Sequence, residues 1–60
     1  MTKFAICITK MQRMNPGVPI IRLLKDAVEL RYGSKDFAVA WYNDDMLLLA
    51  MEHYLRVRSK

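Results

Sequence analysis

The stretch NDDMLLLAMEHYLRVRSK runs six apolar residues without a break, from Met46 to Met51, between two aspartates and a basic tail. The run is far short of the roughly 18 apolar residues that a membrane span requires, so it predicts a packed helix and no membrane partner. Its flanks suit a helix. Asn43 or Asp44 caps the start, Asp44 and Asp45 face the positive end of the dipole, and Arg56, Arg58 and Lys60 lie near the negative end. Over residues 44–57 the spacing sets Leu47, Leu48, Met51, Tyr54 and Leu55 on a core stripe. Leu49 falls outside it, on the line of Asp45, Glu52 and Arg56, while Met46, Ala50, His53 and Val57 make a further, partly apolar edge. A helix apolar on more than one side needs more than one neighbour, which predicts a second contact surface.

The size of the chain sharpens that expectation. Its 60 residues read as a single domain, 1–60, and a domain this small buries only roughly 60% of the surface its unfolded chain exposes. Yet 53% of the residues are hydrophobic, above the about 45–50% of ordinary globular chains. Disorder is thereby excluded, and part of the apolar surface is expected to meet a partner protein or a second copy. The formal net charge of +4 favours acidic partners. Cys7 is the one cysteine and has no internal disulfide partner. The opening MTKFAICITK is too short for a secretory core and lacks a cleavage site, so the expected setting is the cytoplasm.

Elsewhere the pattern changes period. KFAICITK alternates Phe4, Ile6 and Ile8 with Ala5, Cys7 and Thr9, which predicts a strand over residues 3–10. Asn15-Pro16-Gly17-Val18 has the residues of a type II turn, with proline presetting φ and glycine accepting a positive one. Pro19 suits the first position of a helix over 19–32, whose apolar face combines Ile20, Ile21, Leu24, Ala27, Val28 and Tyr32 with Leu23 at its edge. Gly33 stops that helix and Ser34 can cap the next. KDFAVAWY fits a short helix at 35–42, or a second strand at 36–42 that would make the chain β-α-β-α. The fold expected is α+β, an N-terminal strand followed by two or three helices. Its expected core combines Phe4, Ile6 and Ile8, then Ile20, Leu24 and Val28, then Phe37 and Trp41, then Leu48, Met51 and Leu55.

No catalytic constellation emerges. Cys7 and His53 lack a third group to orient them, so the thiol reads as a small hydrophobe and the imidazole as a half-exposed helical residue. One Cys and one His supply too few ligands for a metal, and no cofactor loop is present; Gly17 stands alone, before a proline. The chain is therefore expected to be non-enzymatic, a small adaptor or inhibitor that masks a surface of another protein and is itself possibly dimeric. The residues expected to touch the partner are Met46, Leu49 and His53 on the last helix, with Met11, Arg13 and Met14 in the first loop, because methionine adapts to the shape it meets.

A strand followed by two helices in a short basic chain also resembles the ribbon-helix-helix family in outline, over residues 3–60. That resemblance implies a dimeric DNA-binding regulator whose paired strands enter the major groove. The chain departs from the pattern in its outward strand residues, Ala5 and Cys7, in the long linker QRMNPGVP, and in WYNDDM, which a second helix would have to span.

Overall fold

A computed structural model describes residues 1–59, leaving Lys60 outside the described residues. The described chain is all helical: α1 (Lys3–Met14), α2 (Ile20–Arg31), a 3-10 turn (Ser34–Asp36), α3 (Phe37–Trp41) and α4 (Asp44–Arg58). The expected α+β class is overturned, because there is no strand among the described residues at 3–10 or at 36–42.

The reason lies in α1. Phe4, Cys7, Ile8 and Met11 recur at i, i+3, i+4 and i+7, a helical stripe coexisting with the two-residue alternation. Cys7 and Met11 are buried along it, while Phe4 and Ile8 pack against the core. Thr2 caps the helix, its Oγ1 accepting from the Ala5 N–H at 3.2 Å. The Thr9 hydroxyl donates to the Ala5 carbonyl at 3.0 Å, so a β-former is accommodated within the helix. A lone strand would leave its ladder groups unpaired, whereas a helix satisfies them internally. The same loss of the strand removes the element by which the ribbon-helix-helix resemblance would contact DNA.

α1 ends at Asn15. Its N–H donates to the Gln12 carbonyl at 3.2 Å, and its Nδ2 donates both to the Met11 carbonyl at 2.8 Å and to Tyr54 Oη of α4 at 3.1 Å. The turn after it is the one the sequence specifies: Val18 N–H reaches the Asn15 carbonyl at 3.2 Å, and Gly17 has φ of 82°. Pro19 sits one position earlier than expected, as the N-cap of α2, its carbonyl accepting from Arg22 and Leu23. Along α2, Leu23, Leu24, Ala27 and Val28 are buried. The stripe is rotated from expectation, with Leu23 inside and Ile21 exposed, because α2 packs against α1 and α3 as well as α4.

Gly33 halts α2 with φ of 108° and ψ of 160°, a region open essentially to glycine alone. Ser34 makes no capping hydrogen bond; Gly33 occupies the cap of the 3-10 turn. α3 then inserts Ala40, and α4 starts on Asn43, whose Oδ1 accepts from the Asp45 and Met46 N–H groups at 3.1 and 3.2 Å.

α4 packs against all three other helices. Its Leu47, Ala50, Met51 and Tyr54 are buried, and Met46, Leu48 and Leu55 pack around them. Of the expected core, Leu24, Val28 and Met51 are buried, and Phe4, Ile8, Ile20, Phe37, Leu48 and Leu55 pack against the buried cluster. Ile6 and Trp41 are the corrections, at 39% and 41% exposure. Ile6 belongs to the strand alternation, not the helical stripe. Trp41 lies at the end of a helix too short to bury both its ends, its ring tilted against Phe37 at 5.7 Å.

Two outcomes check this packing. Asn15→Ala is expected to cost about 1–3 kcal/mol, because it strands the Tyr54 hydroxyl in a buried site, and Tyr54→Phe about 1 kcal/mol. In urea titrations the double variant should lose less than the sum of the two, since both remove the same bond. Gly33→Ala should cost about 1–3 kcal/mol, although a methyl there meets nothing within 4 Å, so the loss reports backbone conformation alone. An unchanged midpoint would show that α2 ends by other means.

Candidate protein-interaction surface

On α4, Met46, Leu49, His53 and Val57 follow one another at three- and four-residue steps, so they line one flank of the helix. Leu49 is 47% exposed and Val57 is also exposed; Met46 and His53 are half-buried. The strip exists because the opposite side of α4 is committed to the core through Leu47, Ala50, Met51 and Tyr54. Asn43 fixes its upper end, and Ser59 closes the lower end, its N–H donating to the Leu55 carbonyl at 3.0 Å.

The three loop candidates separate. Met11 is fully buried, one of the largest fully buried side chains, because α1 continues through it instead of ending at residue 10. Arg13 and Met14 remain exposed on the last turn of α1. They line an open depression with Lys10, Leu55 and Ser59, so they sit on the α1 side of α4, on a different flank from the strip of Leu49.

Three exposed residues stand out that the sequence pattern did not single out as contacts: Val39 (61%), Trp41 and Tyr42 (88%). All belong to α3 and its C-cap, and α3 packs against α2 and α4. The signal that could have found them is the brevity of FAVAWYN between Gly33 and the Asn43 cap. A five-residue helix turns one face inward, taken by Ala40 with Phe37 packed beside it, and leaves Ala38, Val39 and Trp41 exposed.

Cys7 is buried. Burial first, and the Glu52 carboxylate second, push its thiol above the ordinary 9.0, while Lys10 and Lys3 pull the other way. A protonated buried thiol makes a poor nucleophile. Among the described residues no group of three or more His, Cys, Asp or Glu side chains is placed to hold a metal ion, and no helix is long and apolar enough to cross a membrane. The bases Lys3, Arg22, Lys25, Arg31, Lys35, Arg56 and Arg58 are all exposed and spread over several elements. No family model, curated protein or solved structure matches the chain.

The thiol yields a pH dependence. It ionises near 9.0 in the unfolded chain and higher in the folded one, so above that pH the unfolded state binds fewer protons and stability falls as pH rises. Urea midpoints measured from neutral to alkaline pH should decline through this window, and Cys7→Ala should remove part of the slope. An identical slope in the variant would contradict the assignment.

Proposed function

We propose that the protein is a non-enzymatic interaction module, an adaptor or inhibitor that acts by covering a surface of another protein. The observation that carries this reading is the apolar strip of Leu49 and Val57, flanked by Met46 and His53, on the helix that organises the fold. Trp41 and Tyr42 support it from α3, since these residue types dominate the energetics of protein contacts when a partner desolvates them. Both sit on ordered elements. Trp41 is held by its contact with Phe37, which lowers the conformational entropy that binding must remove.

The mechanism is steric occupancy. A module of this size presents one rigid helix flank with an aromatic shoulder, and whatever lies beneath it is closed to other ligands. We place it in the reducing cytoplasm on the strength of its single buried cysteine, which supports but does not itself locate the chain.

Affinity capture from a lysate of the source cells tests the reading when run on three proteins side by side: the wild type, Leu49→Lys and Arg22→Glu. A specific partner should be retained by the wild type and by Arg22→Glu, which alters an exposed α2 charge, and be reduced about tenfold or more by Leu49→Lys, as expected for a desolvated anchor. Equal capture by all three would refute the Leu49 surface.

A further inference from the structure

The flank of α4 that faces α1 has a different character. Thr2, Lys3 and Phe4 line one open depression together with Asp44, Asp45 and Leu48. Lys10, Arg13 and Met14 line a second with Leu55 and Ser59. The starts of α1 and α4 are therefore neighbours and so are their ends: the two helices run parallel, side by side, with a shallow groove between them.

The two banks of this groove carry opposite charge. α1 contains Lys3, Lys10 and Arg13 and no acidic residue, and its bases recur at helical spacing with the exposed Ile6 among them. α4 contains Asp44, Asp45 and Glu52 and no Lys or Arg before Arg56. Glu52 of α4 and Lys3 and Lys10 of α1 all act electrostatically on Cys7, buried in α1. Phe4 and Leu48 supply an apolar lining at one end, and Met14 and Leu55 at the other.

A two-fold interface must be complementary to itself, because each copy offers the same patch to the other. A groove with one basic and one acidic bank meets that condition under rotation about its own length, which exchanges the banks. We propose that two copies of this chain associate face to face through the α1–α4 groove, about a two-fold axis running along it, with the basic bank of each copy on the acidic bank of the other. Lys3 then lies over the partner copy's first α4 turn and Lys10 over the middle of that helix. Arg13 approaches the basic end of α4, so the favourable contact is concentrated in the first three turns. A face of two helices about 18 Å long and about 20 Å wide is smaller than stable specific interfaces bury, so the association is weak, reversible and concentration-dependent. Leu49, four residues after Asp45 and three before Glu52, borders the acidic bank, so this pairing adjoins the partner surface proposed around Leu49 but is argued from different residues, those of α1.

Sedimentation equilibrium tests the pairing on the full chain. At low salt the mean mass should rise with concentration from one chain toward two, and added salt should weaken the association about tenfold or more through screening. A chain that stays monomeric at millimolar concentration, or an association indifferent to salt, would overturn the proposal and leave the Leu49 reading standing. Two charge-reversed variants, Lys3→Glu with Lys10→Glu and Asp45→Lys with Glu52→Lys, should each be monomeric, while their equimolar mixture should pair as the wild type does. Circular dichroism confirms that each is folded; should either fail, the salt dependence of the wild type decides. Failure of two folded variants to pair when mixed would overturn the arrangement.

Discussion

The structure depends on the burial of one helix by three others. α4 packs against α1, α2 and α3; α2 also meets the other helices, but the contact of α1 with α4 is wider than its contact with α2. α4 does so with Leu47, Ala50, Met51 and Tyr54 inside and Met46, Leu48 and Leu55 around them. A chain of this length cannot build separate layers, so its core has to be wrapped around a single hub. Within the run from Met46 to Met51, Leu47, Ala50 and Met51 supply the hub's buried side, Met46 and Leu48 pack at its edges, and Leu49 is left outside. The alanines follow from the same constraint, with Ala27, Ala40 and Ala50 all fully buried, small side chains that let helices approach closely.

The hub also divides the surface. With its core side committed, α4 has two flanks left, and they differ in chemistry. One carries Leu49, His53 and Val57, a partly apolar strip that Asp45, Glu52 and Arg56 border. The other, toward α1, alternates Leu48 and Leu55 with Asp45 and Glu52 beneath a basic neighbour. The first suits a partner that supplies its own complement; the second complements a copy of itself. Tyr54 and Asn15 tie the lower end together across both helices, so movement of α1 against the hub would disturb both flanks.

Much of this was legible in the sequence. The Asn15–Val18 turn, the arrest at Gly33, the Asn43 cap and the outward position of Leu49 each follow from local chemistry, which does not depend on the rest of the fold. α1 was not legible, because Phe4, Ile6 and Ile8 satisfy one period and Phe4, Cys7, Ile8 and Met11 another. The choice between them is tertiary: a strand needs a second strand, and the chain provides none. The same error moved Met11 from the core into a loop of candidate contacts. Leu23 lies inside and Ile21 outside for a related reason: the two point about 200° apart around the helix, both are apolar, and it is packing against α1, α3 and α4 that decides which is buried. Trp41 shares the helical face of Phe37 and Ala40, which is why the pattern points it inward, but α3 is too short to bury both of its ends and leaves it 41% exposed. Of the six candidate contacts, Met46, Leu49 and His53 share a flank, Arg13 and Met14 lie on another, and only Met11 is buried.

Native-state hydrogen exchange measures the central claim directly, because it ranks amides by the free energy of the opening that exposes them. If α4 is the hub, the amides from Leu47 to Tyr54 should be the slowest in the molecule and should exchange only by global unfolding, with those of α3 and the 3-10 turn opening first. Amides of α1 or α2 that outlast those of α4 would contradict the account and place the organising core elsewhere.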